Sequence, residues 1–183
     1  GPVDTRFHFG VERLELVRRC VEQLVGEPNE SGHFFTIWAP RQVGKTWLMR
    51  RAIQEIRAQY GDRFAIGALS MQGLLKADEG DEVFFRSVPE MFREGFAFEP
   101  KGPADWNEWR RLFARDSGIF DKPLILLIDE FDALPPAVID SLVNGFRKIY
   151  LAREGYTLHG LALIGVRAVL GVDSPRGSPF NIQ

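Results

Sequence analysis

Short, nearly continuous apolar runs alternate along this chain with longer stretches in which apolar residues recur every three or four positions. The short runs predict β-strands at residues 33–38, 63–69, 124–128 and 158–166, because strands buried on both faces lack polar alternation. The longer stretches predict helices at residues 11–25, 46–60, 81–97 and 105–117, and another that begins at Pro135-Pro136. Strands that alternate with helices predict a three-layer α/β sandwich with a mainly parallel sheet.

A length of 183 residues predicts a single domain. The remaining segments have neither the continuous apolar runs of strands nor the three-to-four-residue spacing of helices. Residues 1–9 predict an irregular entry, and residues 171–183, rich in glycine, serine and proline, predict a loop. We therefore divide the chain into an N-terminal helix with an entry loop (1–32), a core (33–170) and a C-terminal loop (171–183).

Composition and charge exclude several classes of protein. Lys plus Arg is 23 and Asp plus Glu is 25, so a net charge of −2 argues against nucleic-acid binding through bulk positive charge. The apolar fraction of 45% and charged fraction of 26% are typical of a globular domain. A single cysteine, Cys20, excludes an internal disulfide and favours the reducing cytoplasm. The longest apolar runs are far shorter than the roughly 18 residues of a membrane span.

A turn after the first strand has the sequence A-P-R-Q-V-G-K-T at residues 39–46, which fits the pattern [AG]-x-x-x-x-G-K-[ST]. The backbone N–H groups of such a loop, with the positive end of the following helix, bind a polyphosphate. Gly44 leaves the backbone open beside the phosphates, Lys45 reaches the β and γ phosphates, and the Thr46 hydroxyl is a ligand for Mg²⁺. The motif predicts a site for a nucleotide and magnesium.

Two acids follow the third apolar run, in the sequence L-I-L-L-I-D-E at residues 124–130. A charge at the end of a buried strand is costly without a partner, and the phosphate loop implies that this partner is Mg²⁺. We predict that Asp129 holds the metal, directly or through its water, and that Glu130 is the general base for the attacking water. The interval between the two motifs has room for the strand at 63–69, which indicates the additional-strand layout of ATPases. The base-reading motif of GTPases is missing from the sequence.

These motifs, with a strand that ends in Gly165-Val166-Arg167, resemble those of the AAA+ and related STAND-like P-loop ATPases. The phosphate loop and the W-L-M-R-R-A after it are similar to prokaryotic members described only as an AAA-like domain. Residues 10–16, G-V-E-R-L-E-L, resemble the family's N-terminal G-R-E-x-x-E-L box, with Val11 in place of the usual arginine. The resemblance implies that this box lies beside the adenine, that Arg167 has the sensor 1 position near the γ-phosphate, and that the chain is the N-terminal portion of a module whose lid is missing.

The motifs and the resemblance together give a set of predicted site residues, with ATP or ADP and Mg²⁺ as cofactors. The predicted catalytic residues are Glu130, Lys45 and Arg167, and the predicted metal ligands are Thr46 and Asp129. The residues predicted to bind the nucleotide are Gly10, Ala39, Pro40, Arg41, Gln42, Val43, Gly44, Lys45, Thr46 and Trp47.

Two further groups of residues have structural interpretations. Trp106, Trp109 and Phe113 lie at helical spacing and predict a stripe that faces the core, rather than a platform for stacking bases. The cations Arg147, Lys148 and Arg153 predict a solvated helix face, with contact to a neighbouring subunit as the alternative.

Two function hypotheses from different classes remain open, and a third is disfavoured. The first is an ATPase that hydrolyses Mg-ATP and couples the reaction to conformational change in a larger protein. The second is a nucleotide-binding switch or scaffold with little hydrolysis, whose output passes to DNA or protein partners through domains outside this chain; a homo-oligomer also remains open. A small-molecule kinase is disfavoured because D-E-F-D at residues 129–132 ends a strand without an evident acceptor pocket.

Overall fold

The computed structural model describes the backbone of residues 5–38 and 44–166 and the side chains of residues 13–38 and 44–166. Within these ranges, short 3₁₀ turns at Arg115–Ser117, Phe131–Ala133 and Arg153–Gly155 lie between longer elements. The helices are α1 (Thr5–Val25), α2 (Lys45–Tyr60), α3 (Asp81–Phe96), α4 (Trp106–Arg111) and α5 (Pro136–Leu151). The strands are β1 (Phe34–Trp38), β2 (Ala65–Ser70), β3 (Leu124–Asp129) and β4 (Leu158–Gly165).

The described strands form one sheet in the order β1-β4-β3-β2, and every neighbouring pair is parallel. The register pairs Trp38 with Gly165, Asp129 with Ile164, and Ser70 with Asp129, so that all four strands end at the same edge. The strand that separates β1 from β3 is β4, while β2 lies at the far edge. The additional strand between the two motif strands is therefore β4, and not the strand at 63–69 that precedes β3 in the chain.

Helices cover both faces of this sheet, which confirms the predicted three layers. On one face, α1 and α2 pack through side chains such as Leu24 and Ile56 against Ile125 and Ile164. On the other face, α3, α4 and α5 pack against the alternate strand residues. The buried side chains of this second core are mostly large; the fully buried aromatic ones are Phe84, Phe92, Trp109, Phe113, Phe131 and Phe146.

The aromatic stripe of the sequence lies where the pattern predicts it. Trp109 and Phe113 are fully buried, and Trp106 is partly buried against the same cluster. The predicted helix over 105–117 is shorter than expected, because α4 ends at Arg111. The carbonyl oxygen of Phe113 accepts hydrogen bonds from both the backbone N–H and the hydroxyl of Thr157, so it is committed to the start of β4 and not to another helical turn.

The first helix is longer than the sequence predicts. It begins at Thr5, so residues 5–9 are helical and not irregular. No proline occurs between Thr5 and Val25. The single glycine in this stretch, Gly10, destabilises a helix by only about 1 kcal/mol relative to alanine, which is too little to end it. Residues 171–183 of the predicted C-terminal loop lie outside the described residues.

The prediction that Arg153 lies on a solvated helix face is wrong. It lies after α5, in a 3₁₀ turn, and one of its terminal nitrogens donates to the carbonyl oxygens of Gly32 and His159 at 2.9 and 2.7 Å. Its guanidinium also lies over the rings of Phe34 and Tyr150, 5.1 and 4.8 Å from their centres. These contacts place Arg153 at the amino-terminal edge of the sheet as a structural cation. Its burial lowers its pKa from the ordinary value.

Candidate functional site

The first turn of α2 brings a lysine into a largely buried position at the carboxyl edge of the sheet. Gly44, immediately before the helix, has a left-handed backbone (φ 69°, ψ 57°) that glycine adopts without strain. Lys45 begins α2 and is only 9% exposed. Its Nζ lies 3.7 Å from Oδ1 of Asp129 and 3.8 Å from Oε1 of Glu130, beyond hydrogen-bonding distance.

Asp129 is the last residue of β3 and faces this lysine. Its Oδ1 is buried and has no hydrogen-bond partner among the described residues, and the same is true of the Nζ of Lys45. Burial raises the pKa of Asp129 above its usual value, although the charge of Lys45 acts in the opposite direction. The Nζ of Lys45 and the Oδ1 of Asp129 are thus held close together in a largely buried position, where polar atoms ordinarily have hydrogen-bond partners.

Glu130 has a backbone conformation that few residues with a side chain adopt. Its φ of 54° and ψ of 37° lie in the left-handed region, and Ala97 is the other residue besides glycine with a positive φ in the part of the chain that the structure describes. Such a conformation costs on the order of 1–3 kcal/mol, and it is found disproportionately at functional sites. Here it reverses the chain directly after β3, and the Glu130 side chain stays 27% exposed beside Lys45.

A pocket of about 480 Å³ opens above these residues at the carboxyl edge of the sheet. Thr46, on the first turn of α2, is exposed at its margin. The described residues that line the pocket are Gly44, Lys45, Thr46, Gln72, Asp129, Glu130, Asp132, Ala133 and Val166. This described lining is mostly polar and contains three carboxyl groups and one lysine.

The structure brings together the predicted residues Gly44, Lys45, Thr46, Asp129 and Glu130. Trp47 lies on the same turn of α2 but is not among the residues that line the pocket; it is 39% exposed. The predicted residues Ala39, Pro40, Arg41, Gln42, Val43 and Arg167 lie outside the described residues, and Gly10 is described only as backbone within α1.

Three residues of this region were not predicted from the sequence. Arg13 of α1 lies with its guanidinium carbon 5.3 Å from the centre of the Trp47 ring, and a Cβ at Gly44 would lie 2.9 Å from its Nη2. Gln72 lines the pocket just after β2, and Asp132 lines it from the turn after β3. A usable signal existed for the last two, because residues that follow parallel strands collect at one edge of the sheet.

Metal-binding clusters of three or more His, Cys, Asp or Glu side chains are absent from residues 13–38 and 44–166. Magnesium does not need such a cluster, since it keeps several waters and is usually held by one or two carboxylates together with substrate phosphates. The unpartnered Oδ1 of Asp129 and the nearby Thr46 fit this donor set.

A second pocket, of about 360 Å³, lies between α1 and α2. Its floor includes the buried Val17 and Val21, and charged residues on its rim form ion pairs along their own helices, as in Arg18–Glu22 and Arg51–Glu55. The charges here are paired and exposed, so this groove has none of the unpartnered groups found at the carboxyl edge.

No family model matches the chain, and no curated protein does either. Among solved structures, a similar one is titled "Structure of Drosophila ORC bound to poly(dA/dT) DNA and Cdc6 (conformation 1)", with a TM-score of 0.49 and 14% sequence identity. The match covers 87% of this chain and 26% of that chain, so this chain spans about a quarter of the length of the other.

The architecture itself defines the class of fold. A four-stranded parallel sheet in the order β1-β4-β3-β2, flanked by helices on both faces, is consistent with a P-loop NTPase-like sandwich. Helices long and apolar enough to cross a membrane are not found among the described residues.

Proposed function

We propose that this chain is an ATP-binding domain of the AAA+ and STAND-like group, which binds Mg-ATP or Mg-ADP at the carboxyl edge of its sheet and hydrolyses ATP. The observation that carries this proposal is the pair of buried polar atoms, Nζ of Lys45 and Oδ1 of Asp129, that have no hydrogen-bond partner at the mouth of a pocket. Unpartnered buried groups are costly in a protein interior, and a ligand with phosphate oxygens and a divalent cation would satisfy both.

The start of α2 would bind the phosphates. The first N–H groups of a helix have no partner within the helix, and the helix dipole adds positive potential there. Lys45 adds a full positive charge at the same end, and Gly44 adds no side chain between the helix and a ligand. A polyphosphate is the ligand that this combination suits best.

Thr46 and Asp129 would hold the magnesium ion, which when bound screens the phosphate charges and orients the phosphates. Glu130 would act on the attacking water, since its carboxylate lies at the pocket, more exposed than that of Asp129. The strained backbone at Glu130 supports this assignment, because it points to a constraint on that side chain other than packing.

Substitution of Lys45 tests the binding half of the proposal. Lys45→Ala removes a charge-assisted contact to phosphate worth roughly 1.5–3 kcal/mol, so affinity for Mg-ADP should fall about 10- to 150-fold. Calorimetric titration measures the affinity, with the exposed Lys148→Ala on α5 as a matched lysine control. Equal affinity in wild type and Lys45→Ala would refute nucleotide binding at this pocket.

Substitution of Glu130 tests the hydrolytic half. Glu130→Gln keeps the size of the side chain but removes the base, so hydrolysis should slow by about 100-fold or more while Mg-ATP binding is retained. Phosphate release at saturating ATP measures the rate, with the exposed Glu94→Gln on α3 as the control. If the wild type binds ATP but Glu130→Gln changes neither binding nor turnover, the chain is a nucleotide-binding switch, the second function considered from the sequence.

The setting of the domain is also a proposal. We infer that the nucleotide cycle drives conformational change in a larger protein, with DNA or protein partners or further copies of the chain as recipients. A neighbouring subunit or a segment outside this chain would then supply the arginine that neutralises charge on the γ-phosphate, a contribution typically of about 10³–10⁵ in rate.

A further inference from the structure

The outward side of α2 carries a row of exposed side chains that contains no carboxylate. Trp47, Arg50, Gln54 and Arg57 are all exposed, and they lie three, four and three positions apart. Side chains at this spacing follow one another along the same side of a helix. With a rise of about 1.5 Å per residue, the row is about 15 Å long. We call these four residues the α2 stripe.

The positive charge of the α2 stripe has no local counter-charge. Glu55 is the only acidic residue of α2, and its Oε1 pairs with Nη2 of Arg51 at 3.2 Å. The positions three and four residues away from Arg50 and from Arg57 hold no acid. Neither arginine has an ion pair or a side-chain hydrogen bond among the described residues. Two full positive charges therefore face solvent on one side of this helix.

The helix α3, on the opposite face of the sheet, shows the contrasting arrangement. Arg86 and Arg93 are exposed there and lie seven positions apart, as do the two arginines of the α2 stripe. Glu82 and Glu90 lie four positions before and after Arg86, and Nη2 of Arg93 lies 3.2 Å from Oε1 of Glu90. Positive charge is thus balanced along α3, whereas it accumulates along the α2 stripe.

The other two members of the stripe favour one kind of polyanion. Trp47 remains 39% exposed, although the guanidinium carbon of Arg13 lies 5.3 Å from the centre of its ring. An exposed indole can stack on a nucleic-acid base, and the amide of Gln54 can both donate and accept hydrogen bonds. Guanidinium groups bind phosphate oxygens through paired N–H donors. An acidic peptide would use the two arginines but would leave the ring and the amide without a role.

We propose that the α2 stripe binds the phosphodiester backbone of a nucleic acid, with Trp47 stacked on a base. Arg50 and Arg57 lie about 10 Å apart along the helix axis. One strand of B-DNA has a phosphate about every 3.4 Å along its axis, so the two arginines reach phosphates roughly three nucleotides apart. The inference deepens the proposed function, which leaves the partner open between DNA and protein, and it needs only a local site on a chain with a net charge of −2.

The experiment measures the binding of two fluorescein-labelled probes to the whole chain, without nucleotide, by fluorescence anisotropy. The probes are an oligothymidylate and a DNA duplex of the same length, and the tighter of the two identifies the source of the backbone. The Kd is followed between about 50 and 200 mM salt, because each neutralised phosphate adds about 0.7 (single strand) to 0.9 (duplex) to the slope of log K against log salt.

The variant that tests the stripe is Arg50→Gln/Arg57→Gln. It should weaken binding about tenfold or more at the low-salt end and reduce the slope by about 1.4 to 1.8. The matched control is Arg86→Gln/Arg93→Gln, which makes the same charge change at the same spacing on α3 and should leave affinity and slope unchanged. An unchanged slope in the α2 variant, or an equal loss in the α3 variant, would overturn the inference.

Two further arms separate a nucleic acid from an acidic protein. Trp47→Ala should weaken binding of the oligothymidylate about fivefold or more, because it removes the stacked ring. Polyglutamate should compete only weakly with the bound probe. If polyglutamate competes as well as unlabelled oligothymidylate and Trp47→Ala changes neither, the stripe binds an acidic protein and the inference is overturned.

Folding and nucleotide binding are checked in parallel. All four substituted arginines are exposed, so the double variants should have the urea midpoint of the wild type. Should the α2 variant fail to fold, Arg50→Gln and Arg57→Gln decide singly, each with about half the change in slope. A wild type that binds Mg-ADP but neither probe overturns this inference alone. A wild type that binds a probe through the stripe but no Mg-ADP refutes only the proposed nucleotide site.

Discussion

At the amino-terminal edge of the sheet, Arg153 donates to two backbone carbonyl oxygens, and Nε2 of the buried His159 lies 2.7 Å from the carbonyl oxygen of Val25. At the carboxyl edge, Nζ of Lys45 and Oδ1 of Asp129 are equally hidden from water but have no hydrogen-bond partner among the described residues. Both edges bury charged or titratable side chains, and they differ in whether the protein itself satisfies them.

This difference separates groups that hold the fold together from groups that await a ligand. A buried polar group that is hydrogen-bonded contributes to stability, whereas one that is not lowers stability by roughly 1–3 kcal/mol. The strained backbone of Glu130 adds to the cost at the carboxyl edge. Substitutions at the two edges should therefore have opposite consequences for stability and for binding.

The largest effect on stability is expected at the satisfied edge. Arg153→Ala removes a charged donor from the carbonyl oxygens of Gly32 and His159, together with its stacking on Phe34 and Tyr150. Hydrogen bonds that involve a charged group contribute about 1.5–3 kcal/mol, so the free energy of unfolding should fall by about 2–4 kcal/mol. Urea denaturation without nucleotide measures this loss, and the affinity for Mg-ADP should stay unchanged.

Arg153→Lys serves as the matched control, because it keeps the charge but not the planar group that stacks on the rings. It should recover part of the stability. A loss below about 1 kcal/mol in Arg153→Ala, or a weaker binding of Mg-ADP, would show that the two edges do not differ in the way described.

The same contrast explains which features could be predicted from the sequence. The apolar runs predict all four strands because each is buried between two layers of helices. The glycine-lysine-threonine motif at residues 44–46 comes one loop after β1, and the acidic pair at residues 129–130 stands at the end of β3. Because parallel strands end at one edge of the sheet, the closeness of Lys45 and Asp129 follows from the local sequence pattern and the topology alone. Their roles with nucleotide and metal remain predictions.

Features set by contacts between distant parts of the chain could not be predicted. Asp132 and Val166 are separated by 34 positions, and Arg153 and Gly32 by 121, so no local pattern relates them. The position of β4 between β1 and β3 depends on sheet order, which apolar runs do not specify. After the short α4, the carbonyl oxygen of Phe113 accepts a hydrogen bond from the Thr157 hydroxyl, a contact across 44 positions.

The smallest expected effect on stability lies at the unsatisfied edge, and its sign is the informative part. Burial raises the pKa of Asp129 above its ordinary value of 3.8, so the folded chain binds this proton more tightly than the unfolded chain does. The stability associated with that preference is present at pH values below 3.8 and is lost as the pH rises through the raised pKa. Asp129→Asn removes this penalty, and it should therefore stabilise the nucleotide-free chain at pH 7 but not at pH 3.

The most direct test is the free energy of unfolding of wild type and Asp129→Asn at pH 7, each measured without ligand and with Mg-ADP. Without ligand, we expect the variant to be the more stable, because Glu130 still lies near Lys45 while the buried charge of Asp129 is gone. With Mg-ADP at about 100 times its Kd, the wild type should gain about 2.7 kcal/mol and the variant much less, so that their order reverses. A variant that is less stable without ligand, or that gains as much from Mg-ADP as the wild type, would contradict the account.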